Sequence, residues 1–168
     1  MERNEARMYE IFETLNIQDY QVHEHVAIFS TEDSDRYGLA MEGLNLKNLL
    51  IKEKKMDGYY LVIIDEHTHM DLKHFKEVTG WGKVRFASKE ELWETLQLTP
   101  GSVTPLALFN DTEHKIKVVL GKDIVIAPDD EKISFHPCRN TATITLRKAD
   151  FLKYLDHVGN EVILEPVE

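Results

Sequence analysis

The segment Tyr59-Tyr60-Leu61-Val62-Ile63-Ile64 is apolar without a break, and it constrains the fold more than any other stretch. A strand turns alternate side chains to opposite faces, so a strand with no polar position has no face to give to water. It predicts a central strand, Tyr59 to Asp65, covered on both sides. Leu46 to Lys54 reads as its neighbour across a turn at Met56-Asp57-Gly58.

The rest of the chain supplies helices and further strands around that centre. Met8, Ile11, Phe12 and Leu15 recur at helical spacing, predicting an amphipathic helix over Glu5 to Leu15. Ser30 or Thr31 caps a short helix with an acidic first turn, and Gly43 lies past its end. Asp71 caps a helix that Gly80 stops, and Ser88-Lys89-Glu90-Glu91 has capping-box spacing, with Leu92, Trp93 and Leu96 expected on the buried face. Tyr20 to His25, Val84 to Ala87, Val103 to Phe109, Lys115 to Leu120, Ile133 to His136, Thr141 to Leu146 and Val162 to Leu164 read as strands. Phe151, Leu152, Leu155 and Val158 mark a last helix ending at Gly159. Helices alternate with strands early and strands dominate later. This predicts one α/β domain over residues 1–168, with a mixed, curved sheet and helices outside it.

Composition narrows what such a domain does. Apolar residues make up 42% and charged residues 30% of 168, enough for a proper core. The single cysteine, Cys138, excludes an internal disulfide framework and suits a reducing compartment. The N-terminal residues lack the apolar core of a secretory signal, and no stretch approaches the ~20 apolar residues of a membrane span. A soluble, cytoplasmic protein without membrane contact is expected. The net charge of −10 argues against a wide nucleic-acid footprint, because phosphate binding draws on a basic face. Lys52, Lys54 and Lys55, with Lys115, Lys117 and Lys122, are the local basic clusters; each also reads as a solvated strand edge. Phosphate-binding, dinucleotide-binding and zincin motifs are absent from the sequence. His67 and His69 share one face of an extended segment, as zinc ligands can, but His74 falls in the next helix, and no metal or other cofactor is expected.

Three segments carry chemistry. Lys47-Asn48 heads the apolar run Leu49-Leu50-Ile51, where a lysine either points its ammonium into a pocket beside the sheet or stands solvated at a strand start. Gly101-Ser102-Val103-Thr104-Pro105 turns tightly, and glycine lets backbone N–H groups approach a ligand closely. Such a loop can hold a carbonyl oxygen or a water, with Ser102 and Thr104 as further donors, or it is an ordinary turn. His136 precedes Pro137, with Asn140 and Thr141 beyond; its ring titrates near working pH and can bond a carbonyl or ribose hydroxyl, or simply neighbouring backbone. Cys138 has no fixed histidine–carboxylate pair beside it and reads as a small packed side chain.

Taken in this order, Lys47-Asn48-Leu49-Leu50, the G-x-x-x-P loop and Phe135-His136-Pro137 with Arg139-Asn140-Thr141-Ala142-Thr143 resemble the prolyl-tRNA editing family (the YbaK-type, prolyl-tRNA synthetase-associated domain). The resemblance runs from about Tyr20 to Gly159. It implies a free-standing deacylase that hydrolyses the ester of mischarged tRNA, most like the alanyl-tRNA(Pro) deacylases. The implied catalytic residues are Lys47, Gly101 and His136; the implied substrate-binding residues are Asn48, Ser102, Val103, Thr104, Pro105 and Asn140. The implied partners are the acceptor end of aminoacylated tRNA and prolyl-tRNA synthetase. A cysteinyl-tRNA(Pro) deacylase and a non-catalytic tRNA- or synthetase-binding module are the alternatives. Residues 37 to 46, which lead into Lys47, are expected to wall the amino-acid pocket.

Overall fold

The computed structural model describes residues 2–36, 38 and 41–167. Eight strands form one mixed sheet: β1 (Tyr20–Glu24), β2 (Leu44–Glu53), β3 (Tyr59–Asp65), β4 (Val84–Phe86), β5 (Ile116–Leu120), β6 (Lys132–Phe135), β7 (Ala142–Arg147) and β8 (Val162–Leu164). The strand order is β1-β7-β6-β2-β3-β5-β8, with β4 also on β2. Around it lie α1 (Arg3–Thr14), α2 (Thr31–Arg36), α3 (Leu72–Thr79), α4 (Lys89–Leu96), α5 (Lys122–Ile126) and α6 (Lys148–Val158).

β3 sits between β2 (antiparallel) and β5 (parallel). Tyr59, Leu61 and Ile63 face a large core with α1, α4 and α6, while Tyr60, Val62 and Ile64 face a second core with Phe75 of α3 and Trp81. Both faces are covered, as the unbroken apolar run requires. Among the described residues no helix is long and apolar enough to cross a membrane.

Local signals place most element ends. The Asp71 side chain accepts from the Lys73 and His74 N–H groups, and Gly80 closes α3 at φ +76°. Ser88 and Glu91 form the reciprocal capping box of α4. Two expectations fail. Val103 to Phe109 is not a strand: Pro105–Asn110 forms a 3-10 helix, because Pro105 has no N–H for a ladder and Thr104 caps the turn by accepting from the Leu106 N–H. Trp93 is 57% exposed, and Thr95 takes its expected place beside Leu92 and Leu96 in the buried set of α4. The short helix α5 was not foreseen; Gly121, at its N-cap, packs its backbone against Ile63 and Ile64.

The edges of β2 decide where a cleft opens. Glu53 donates to Gly58 O and Asn45 O accepts from Glu66, so the odd-numbered residues of β2 turn their backbone groups to β3. The even-numbered ones turn theirs to the other edge, where β6 pairs with Leu44 and Asn45 and β4 with Ile51 to Glu53. Between those two partners the sheet is split. Asn48 lies in that gap, paired with Ile63 of β3 on one side and with no strand on the other.

Candidate active site

The gap opens into a cleft of about 340 Å³, at the small end of the roughly 300–1,000 Å³ typical of small-molecule sites. One wall is β2 from Asn45 to Leu49; a second is Ser134, Phe135 and His136 of β6 and its end, with Thr143 of β7. Ile28, Phe29 and the start of α2 form a third, and Gly101 and Val103 close it.

Five of the implied site residues therefore share one cavity: Lys47, Asn48, Gly101, Val103 and His136. They arrive from three chain segments. Lys47 is half-buried, and among the described residues no carboxylate lies within ion-pair distance of it. Asn48 holds its Oδ1 buried with no hydrogen-bond partner, an unsatisfied acceptor costing about 1–3 kcal/mol until a donor arrives. Gly101 has φ +91°, and a Cβ there would stand 2.9 Å from Phe29 Cδ1 and 3.2 Å from Asn140 Nδ2. Only glycine suits both the backbone angle and the crowding.

His136 is fixed by a hydrogen bond from Nδ1 to Ala142 O at 2.9 Å. A carbonyl oxygen only accepts, so Nδ1 carries the proton and Nε2 keeps its lone pair. Burial, together with the nearby His25 ring, pushes the His136 pKa below its ordinary 6.5. Above pH 6.5 the ring is neutral whether folded or unfolded. Below it the unfolded chain takes up the proton first, so stability falls as the pH drops from 6.5 toward the lower folded value. His136→Asn keeps a donor for Ala142 O but does not titrate; chemical denaturation at pH 7 and pH 5.5 is expected to show a smaller pH loss in this variant than in the wild type.

The other implied residues lie outside the lining. Ser102 and Thr104 are buried, and Pro105 opens the 3-10 helix. Asn140 holds the cleft's third wall: its backbone oxygen accepts from Ile28 N, and its side chain donates to Ile28 O at 2.8 Å. Arg139 clamps α1 to β1 through Glu5 at 2.8 Å and Glu24 at 2.7 Å. The Cys138 thiol is pushed up to about 12 by burial and by Glu5 and Glu2, so it is protonated at neutral pH. Of the stretch expected to wall the pocket, Asn45 and Leu46 line the cleft, while Tyr37, Leu39 and Ala40 lie outside the described residues.

Sequence reasoning missed Phe29, Ser30, Thr31, Glu66, Ser134 and Thr143 as lining residues. It also passed over His25, whose Nδ1 donates to Val26 O at 2.7 Å and whose Nε2 meets the Thr143 hydroxyl at 2.8 Å. The cap signal at Ser30 and Thr31 was visible; its place at a cleft was not. Among the described residues one group has the spacing to hold a metal ion, Asp35, Glu66 and His67, with ligand atoms within 4.8 Å of one another. In it His67 Nε2 is already held by Asp35 at 3.2 Å. His74 is instead paired with Glu165 at 2.5 Å. Three of the six clustered lysines have partners: Lys115 pairs with Asp57 and Glu113, Lys117 with Glu161, and Lys52 donates to Glu53 O.

A family model described as an aminoacyl-tRNA editing domain matches residues 25–154. The chain belongs to this family. It is 34% identical over 146 residues to the prolyl-tRNA synthetase associated domain-containing protein 1 of Bos taurus, covering 86% of this chain and 84% of the relative. It is 30% identical over 142 residues to the prolyl-tRNA editing protein ProX of Acetoanaerobium sticklandii, covering 84% and 85%. A solved structure described as a candidate trans-editing enzyme for prolyl tRNA synthetase superposes with a TM-score of 0.67 at 20% identity, over 100% of this chain and 99% of that one. That likeness shows the shared editing-domain fold, and the split β2 edge is part of how this chain builds it.

Proposed function

We propose that this chain is a trans-acting aminoacyl-tRNA deacylase, with Ala-tRNA(Pro) as its substrate. The observation that carries the reading is the convergence of Lys47, Gly101 and His136 on one cleft inside an editing-domain fold. An aminoacyl ester is already labile, so the protein's task is to position it, orient a water and stabilise the developing oxyanion. Lys47 supplies the cation for the phosphate or ribose end of the terminal nucleotide. The Gly101 loop brings backbone close to the reacting carbonyl, and the His136 Nε2 lone pair accepts from a ribose hydroxyl or the attacking water. Water adds to the carbonyl carbon, and the carbon–oxygen bond to the ribose breaks. The amino acid leaves, and the tRNA keeps a free hydroxyl.

The test is the release of alanine from Ala-tRNA(Pro) beside proline from Pro-tRNA(Pro). An amino-acid pocket that admits only a methyl side chain would reject the proline ring by clash, which is not bound by the ~1–3 kcal/mol limit on telling a group from a smaller one. Alanine is expected to leave faster by on the order of 10²-fold or more. Equal rates would refute editing, and a preference for Cys-tRNA(Pro) would move the substrate to cysteine. A non-catalytic tRNA- or synthetase-binding module is the second reading, and the acidic charge favours its synthetase-recruiting form, because an acidic surface suits a protein partner better than a nucleic acid. Inactivity on every tRNA mischarged with a small amino acid would select it.

A further inference from the structure

β2 and the turn that follows β3 bring a cation and an anion to the same cleft. Lys47 stands opposite Ile64, and Glu66, whose N–H donates to Asn45 O at 3.0 Å, continues that register two residues on. Glu66 is the first residue past β3, and its bond to Asn45 sets it diagonally across from Lys47, a separation of about 7–8 Å for such neighbours. Both line the cleft. They form no ion pair with each other.

Glu66 is an uncomfortable carboxylate. Its side chain is 11% exposed, and among the described residues no group donates a hydrogen bond to it. The groups facing it are Asp35 from α2, Asp65 from β3 and the adjacent His67. Two of these are acids. The third, His67 Nδ1, is 3.8 Å away, and its Nε2 is already held by Asp35 at 3.2 Å. Burial, Asp35 and Asp65 raise the Glu66 pKa and His67 lowers it. A desolvated carboxylate short of partners is stabilised by a cation that arrives with the ligand.

We propose that Glu66 binds the free α-ammonium of the aminoacyl group, while Lys47 takes the negative end of the same ligand. The pair then gives the cleft a polarity that an aminoacyl nucleotide satisfies in one orientation only. An N-acylated ester lacks the cation and adds bulk at the carboxylate, so the site is selective for unblocked amino groups. The proposal rests on the deacylase reading for its choice of ligand, but it makes a separate claim about recognition.

The experiment uses the 5′-monophosphate of 3′-deoxy-3′-(alanylamino)adenosine, whose amide link resists hydrolysis and whose phosphate supplies the negative end, and its N-acetyl derivative, with affinities measured by titration calorimetry. Wild-type protein is expected to bind the free-amine form more tightly by on the order of 10- to 100-fold, the range of a charge-assisted hydrogen bond. Glu66→Gln is expected to lose that preference, and Glu66→Asp to keep its direction at a smaller ratio. A merely structural role for Glu66 would weaken both ligands together and leave their ratio unchanged, which would overturn the proposal. So would equal binding of the two forms by the wild type, or no measurable binding of either. Neither ligand turns over, so an intact preference in a protein that deacylates nothing would overturn the deacylase reading and leave this one standing.

Discussion

Lys47→Ala is expected to lower kcat/KM for Ala-tRNA(Pro) by on the order of 10²- to 10³-fold, the effect of removing one preorganised charge-stabilising donor. Lys47 is the cation of β2 that faces the cleft, and among the described residues it makes no ion pair. Its loss therefore breaks no ion pair. Thermal unfolding should move by no more than about 2 °C, as for an ordinary surface substitution in a domain of this size. Steady-state deacylation and a melting curve on the same preparation check both halves. Near-wild-type turnover in the folded variant would remove Lys47 from the site. Lys47→Arg adds a second reading, since a guanidinium keeps the charge but spreads it over a wider fork.

Gly101→Val is the second large effect. The backbone at φ +91° lies where β-branched residues are strained, at about 1–3 kcal/mol. The new Cβ would also stand 2.9 Å from Phe29 Cδ1 and 3.2 Å from Asn140 Nδ2, so the wall held by the Asn140–Ile28 bonds must shift. Activity is expected to fall by on the order of 10²-fold, as for a small misplacement of reacting groups. Ser102→Ala should cost far less: Ser102 is buried and does not line the cleft. Both variants are to be assayed well below their own melting temperatures, so that loop strain is not read as lost chemistry. If Ser102→Ala were the more harmful, the serine hydroxyl, not the loop backbone, would be the working group.

Both predictions concern residues that sequence reasoning singled out, and the reason differs from that behind its failures. β3 runs from Tyr59 to Asp65 as expected, because an unbroken apolar run has only one stable place in a sheet. The ends of α3 and α4 follow from Asp71, Gly80, Ser88 and Glu91, whose caps act within a few residues. The family was legible in three short motifs, and the match over residues 25–154 agrees. Apolar residues without a local stop signal misled. Trp93 has the right spacing for a buried face, yet its position is decided by what packs on α4. The run from Val103 to Phe109 looks like a strand until Pro105 and the Thr104 cap are weighed together.

The sequence by itself determined the central strand, the capped helices, the family and the positions of Lys47, Gly101 and His136 along the chain. Only the tertiary structure decided that these three share a cleft with Phe29, Glu66 and Thr143, and that Asn140 braces a wall outside the lining. The cleft exists because β2 changes partners along one edge, from β6 to β4, leaving Asn48 between them. Those pairings join segments 30 to 90 residues apart, and such contacts are set by the packing of the whole sheet. Local propensity carries no record of them.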